Sequence, residues 1–296
     1  MSLIMLLSQN SRLSYAELAD KLNLSVNAVH KRIQLLIETG VINKFTAKVS
    51  NFAVNAIVVF LSGSSQLSSF QDLPNKLKAQ GSIYWLATGS GKFLFIGAYL
   101  RNLNELEPLV NYVKKEAGIP EPTVGIMSSV PLMHQPSHKL AITSLCDLDY
   151  RIIRALKDNS RKAISEVAEE LGISAKTARR RLSLMLKNFL IELSIEWYPD
   201  KSNDILTLID LHLKPQVDMN EANSILRKYA PNTLFYFSFA NMPNTATFVV
   251  WTNSMIELQH IREKLEGEEN VASITPNILL KGYIFNTWRD QLVEKT

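Results

Sequence analysis

A single cysteine, Cys146, is present among 296 residues. That excludes an intrachain disulfide framework and fits a reducing interior, with the thiol expected as a small buried hydrophobe beside a linker. Long apolar runs are missing as well: none approaches the roughly 20 residues that span a bilayer. The opening MSLIMLL has no basic flank and no small-residue cleavage site, so it does not read as a signal peptide. A cytoplasmic protein with no membrane partner is expected. Glycine is sparse, at 11 residues, and no phosphate-cradling glycine loop or nucleophile motif occurs. Histidine is sparser still. Of the five, His134 and His138 have helical metal-ligand spacing, but Gln135, Pro136 and Ser137 between them argue against a regular helix. No catalytic residue, cofactor or metal site is expected.

What is present is a repeat. Residues 166–191, EVAEELGISAKTARRRLSLMLKNFLI, read as two short helices joined at Gly172, with Ser174 placed to cap the second. Ala178, Leu182 and Met185 form its inward face at helical spacing. Lys176, Thr177, Arg179 and Arg180 are left outside, as on the second helix of a helix-turn-helix, which enters the major groove. Shifting back 149 positions gives 17–42, ELADKLNLSVNAVHKRIQLLIETGVI, without a gap. Glu17, Ala19, Leu22, Ser25, Arg32, Leu35 and Ile42 recur as Glu166, Ala168, Leu171, Ser174, Arg181, Leu184 and Ile191. Upstream, Asn10-Ser11-Arg12 recurs as Asn159-Ser160-Arg161. A match of this length is an internal duplication.

Between and after these blocks the pattern changes. Residues 55–131 alternate strand and helix signals in the order β-α-β-β-α-β, with a hairpin at Gly89-Ser90-Gly91-Lys92, and 204–280 repeat that order. The fold class expected is α+β, a tandem duplication of a winged helix-turn-helix and a ferredoxin-like βαββαβ module. Domains are placed at 1–50, 51–131, 147–203 and 204–296, with a linker over 132–146. Segment 41–49 reads as a two-stranded wing whose Lys44 and Lys48 reach phosphates. The matching 190–198 carries Glu192 and Glu196, which phosphate would repel, so the two modules are not expected to bind DNA identically. The net charge is +4. Residues 1–50 hold six Lys/Arg against three Asp/Glu, whereas 204–296 hold eight against eleven.

These features resemble the Lrp/AsnC (feast/famine) family of transcription regulators. The resemblance rests on Arg32-Ile33…Leu36 and Arg181-Leu182…Met185 in the recognition helices, followed each time by the βαββαβ (RAM/AsnC-type) module. It covers nearly the whole chain, twice. It implies sequence-specific binding to double-stranded DNA, with Asn27, His30, Lys31 and Gln34 facing one half-site and Lys176, Thr177, Arg179 and Arg180 the other. It also implies that the two modules pair sheet to sheet within the chain, hiding strand edges, and that homo-oligomers form through them. Arg32 and Arg181 are expected either on phosphate or in ion pairs with Glu17 and Glu166. In the family, a turn near the small-molecule pocket commonly carries an aspartate where Lys92 falls here. Gly89, Ser90, Gly91 and Lys92 are therefore weighed as an effector turn that would favour an anionic group, and the plain hairpin is preferred.

Two rival readings use the same architecture. Siroheme decarboxylases share it and resemble catalysts that hold a tetrapyrrole through histidines and arginines of the β-modules. Here only His212 and His260 fall in a β-module, and they form no matched pair between the halves, so partly exposed polar residues are expected. The other rival is a ligand-sensing or assembly protein with vestigial helix-turn-helix domains.

Overall fold

The computed structural model describes residues 2–129, 144–217, 224–225 and 228–294. The expected linker lies outside them over 132–143, with His134 and His138, and so does most of the helix expected at 220–229. Two compact units emerge, each drawing on both copies of the repeat. One holds 2–56, 144–201 and 286–294; the other holds 57–129 and the described residues of 202–285.

In the first unit, copy one supplies α1 (Ser2–Gln9), α2 (Tyr15–Leu22), α3 (Val26–Glu38) and β1 (Ile42–Val49). Copy two supplies α6 (Asp147–Leu156), α7 (Ile164–Leu171), α8 (Ala175–Lys187) and β6 (Ile191–Trp197). Local chemistry sets each helix end. Ser14 and Glu17 close a reciprocal capping box at α2. Asn23 at φ 52° and Gly172 at φ 65° end α2 and α7 in the left-handed region, which those residue types tolerate. Ser25 and Ser174 then cap α3 and α8 through the backbone N–H of Ala28 and Thr177.

The wing differs from expectation. Each copy contributes one strand, not a hairpin, and β1 pairs antiparallel with β6. The register sets Lys44 opposite Glu196 and Lys48 opposite Glu192. Other bonds cross between the copies too. The buried hydroxyls of Ser11 and Ser160 meet at 2.6 Å. Ser11 N–H donates to Leu193 O, and Ser160 N–H to Phe45 O, each at 3.0 Å. Arg12 donates to the carbonyls of Ser160 and Lys162, and Arg161 to that of Leu13. Arg161 also lies 5.0 Å from the rings of Tyr15 and Phe45. Helix α1 packs on β6 and α6 on β1. Ala47, Val49, Ile152, Leu156, Val167 and Met185 share one core.

In the second unit, β2 (Ile57–Ser64), α4 (Leu73–Lys78), β3 (Ile83–Gly89), β4 (Phe93–Leu100), α5 (Leu106–Glu116) and β5 (Thr123–Ser129) make one βαββαβ module. From the other come β7 (Ile205–Leu213), β8 (Thr233–Phe239), β9 (Met242–Thr252), α9 (Met255–Glu266) and β10 (Val271–Ile284). Their eight strands close into a barrel in the order β10-β3-β4-β2-β5-β8-β9-β7. The modules therefore join edge to edge, through β5–β8 and β10–β3, and closure removes every free edge. Asn241, at the β8–β9 turn, ties the first seam: its Oδ1 accepts from Ile126 N–H and its Nδ2 donates to Val124 O, both at 2.7 Å. Val59, Leu61, Ile96 and Leu109 fill one core under α4 and α5. Ile209, Leu211, Phe248 and Leu265 fill the matching core of the second module. Among the described residues no helix is long and apolar enough to cross a membrane.

Candidate nucleic-acid interface

The inward face of α3 is fixed by Val29 and Ile33, that of α8 by Ala178, Leu182 and Met185. Helical periodicity then dictates what is left outside. Asn27, His30, Lys31 and Gln34 on α3 are exposed, as are Lys176, Arg179 and Arg180 on α8, with Thr177 half-buried. Position for position, His30 and Lys31 correspond to Arg179 and Arg180, so α8 presents the more basic face. Three of these groups have neighbours: the Thr177 hydroxyl meets that of Ser174 at 2.9 Å. The His30 ring lies edge-on to Tyr15 at 5.1 Å, and Gln34 Nε2 donates to Glu38 at 3.2 Å.

Lys44 and Lys48, expected to reach phosphates, are used inside the unit. Lys44 Nζ lies 2.9 Å from Asp158 and 3.8 Å from Glu196. Lys48 Nζ lies 2.8 Å from Asp290, at the short helix α10 (Trp288–Gln291). The wing glutamates are paired in turn. Glu192 accepts from Arg289 at 3.0 Å, and Arg289, only 4% exposed, also donates to Asn51 at 2.6 Å. Glu196 accepts from Asn43 at 2.6 Å. The opposite signs on the two strands neutralise each other where β1 meets β6.

Arg181 departs from the expected partner, and Arg32 makes no ion pair with Glu17. Glu17 is taken by the α2 capping box, and Arg32 is exposed with no ion-pair partner among the described residues. Arg181 pairs not with Glu166 but with the fully buried Asp149 at the start of α6, its Nε donating at 2.8 Å. Burial alone would raise the Asp149 carboxyl. The Arg181 hydrogen bonds and charge and the Cys146 N–H outweigh it and hold the group below the usual aspartate range. Cys146 is exposed, not buried, and its Sγ accepts from Arg181 at 3.1 Å. The sequence marks Asp147 or Asp149 as a partner for the α6 dipole, and does not show the reach of Asp149 to α8.

The hairpin turn Gly89–Lys92 is a single 3₁₀ turn, with Gly91 and Lys92 at positive φ. Lys92 Nζ donates to Leu67 O at 3.0 Å. The described histidines stay apart. His30 is on α3, His212 lies near the end of β7, its Nδ1 3.4 Å from Thr245 Oγ1, and His260 is exposed on α9. Among the described residues no group of three or more His, Cys, Asp or Glu is arranged to hold a metal ion.

Comparison with known proteins agrees with this layout. The model of a winged helix-turn-helix DNA-binding family matches residues 3–43, and that of the AsnC-type helix-turn-helix domain matches 146–185. An uncharacterised HTH-type transcriptional regulator of Pyrococcus furiosus is 30% identical over 135 residues, covering 44% of this chain and 91% of its own length. A similar regulator of Pyrococcus abyssi is 27% identical over 132 residues, covering 44% and 84%. The crystal structure of the siroheme decarboxylase NirDL, with an iron-uroporphyrin III analogue, aligns over 99% of this chain and 96% of its own. Its TM-score is 0.63 at 12% identity, a likeness of fold alone. One copy of this chain thus spans most of a single regulator, and the chain belongs to the Lrp/AsnC-like helix-turn-helix regulators as a tandem duplication.

Proposed function

We propose that the chain is a sequence-specific DNA-binding transcription regulator, not an enzyme, and that its two helix-turn-helix modules act as an intrachain pseudo-dimer. One observation carries this reading: two capped recognition helices with exposed polar and basic faces belong to one interlocked unit. Arginine pairs bidentately with guanine and asparagine with adenine in the major groove. Arg179 and Arg180 therefore suit a guanine-bearing half-site, and Asn27 suits adenine in the other. The operator is asymmetric in this proposal, because the helices differ at positions 27/176, 28/177, 30/179 and 31/180. Such a role puts the protein in the cytoplasm, where the DNA is. Assembly into homo-oligomers would use surfaces other than the barrel's strand edges, since its closure leaves none. The Gly89–Lys92 turn serves as a hairpin.

The decarboxylase reading rests on fold likeness. The cavity inside the barrel, of about 150 Å³, is below the roughly 300–1,000 Å³ of pockets for drug-sized ligands, and a tetrapyrrole is larger.

Selection from random double-stranded DNA with the purified chain, then titration of the best site at two salt concentrations, tests the proposal. An enriched asymmetric motif with a steep salt slope is expected. No enrichment, with only weak non-specific binding, would overturn it. An absorbance change on adding siroheme would instead favour the tetrapyrrole reading.

A further inference from the structure

The inner face of the barrel holds a cavity that the DNA reading does not use. Even-numbered residues of β7 point into it, and the register puts Asp210 beside Thr247 and His212 beside Thr245. From the other module come Phe60 and Phe95, and from β8 comes Phe237, whose ring lies 4.8 Å from that of Phe60. Gly125 leaves room on this wall, because a Cβ there would overlap the ring of Phe239. The volume is about 150 Å³, the size of an apolar cavity that takes one benzene.

We propose that this chamber binds a small organic cation, an amine on a body of about one ring, with Asp210 as counter-ion and the phenylalanine faces around it. The chemistry is mutually consistent. Aromatic faces carry negative quadrupole charge and attract ammonium groups. A carboxylate facing the same space repels anions and accepts N–H donors. Thr247 Oγ1 donates to Asp210 at 2.6 Å and fixes its orientation. Burial pushes the Asp210 carboxyl up, while the Thr247 bond and His212 pull the other way. A bound cation would offset the cost of the buried charge. The register also sets Asn277 on this inner face, opposite Leu208; it is 8% exposed and its Nδ2 has no hydrogen-bond partner among the described residues. The site lies within one unit and stands whether or not the chain binds DNA.

Calorimetric titration of the full chain with benzylamine, benzyl alcohol and benzoate, without DNA, tests it. Saturable binding of benzylamine is expected, weakened about tenfold or more in Asp210→Asn, with benzyl alcohol binding both proteins alike. Equal benzylamine affinity in the two proteins, preference for benzoate, or no saturable binding of any probe overturns the proposal. Ser62 of β2 also lines the chamber, and Ser62→Leu, which fills it and leaves Asp210 in place, is the second variant: it must abolish benzylamine binding, and retained binding would put the amine elsewhere.

Discussion

Arg32 and Arg181 hold equivalent positions on the two recognition helices and have different surroundings. Arg181 reaches back to Asp149, which has no exposed surface, so removing the carboxylate strands a largely covered guanidinium. Asp149→Ala is expected to cost toward the lower end of roughly 3–5 kcal/mol, because Arg181 keeps some solvent contact; urea denaturation at neutral pH measures it. The sign with pH follows from the depressed carboxyl. Its contribution is complete above the ordinary aspartate value of about 3.9 and is lost as pH falls through the lower folded value. The gap between the variant and the parent should therefore close in acid. At the proposed DNA-facing positions, Arg179→Ala or Arg180→Ala should cost about 1–3 kcal/mol and relax one half-site only, if the side chain meets a base edge. Binding to a set of point-mutated operators separates that from a uniform phosphate loss.

The β1–β6 ribbon puts the wing charges to a different use. A β1 strand paired with another β1 would gather lysines without counter-charges, and a β6 pair would gather glutamates, so the segregated charges favour the mixed pairing seen. Lys48 is already bonded to Asp290. Lys48→Ala should therefore leave the slope of log affinity against log salt unchanged, whereas Lys176→Ala should lower its magnitude by about 1. A double-mutant cycle on Glu192 and Arg289 should show coupling of about 1–3 kcal/mol, since they meet at 3.0 Å with Arg289 buried; additive effects in thermal melts would count against that bond. Elements were largely legible in the sequence. Helix caps at Ser25 and Ser174 are local chemistry, and so is the Gly172 stop. The partner of β1 was not, because alternation shows that a strand exists and says nothing about which strand 149 residues away completes it. For the same reason the local pattern marks Asp147 or Asp149 as the dipole partner of its own helix and Lys44 and Lys48 as phosphate contacts, and does not show that Asp149 reaches Arg181 or Lys48 reaches Asp290.

Across the whole molecule, duplication has let the two halves specialise. Had the copies stayed equal, both recognition helices would read the same bases, and the operator would be palindromic. Replacing the outward residues of α8 with those of α3, through Lys176→Asn, Thr177→Ala, Arg179→His and Arg180→Lys, should turn an asymmetric selected motif into a near-palindrome. The module order was readable from the sequence. Closure of the eight strands into one barrel was not, because βαββαβ patterning fixes each four-stranded sheet and leaves the seams to tertiary pairing at Met127–Phe239 and Leu279–Gly89.

Ser11 and Arg12 complete their bonds on copy two, as Ser160 and Arg161 do on copy one. Subunits held only by such contacts would separate on dilution. Within one chain their mutual concentration is set by the tether and not by how much protein the cell makes. A proposed regulator of this kind has no association threshold for pairing its two modules: acting as a single chain, its occupancy of one operator rises with the first power of protein amount, even at a few copies per cell.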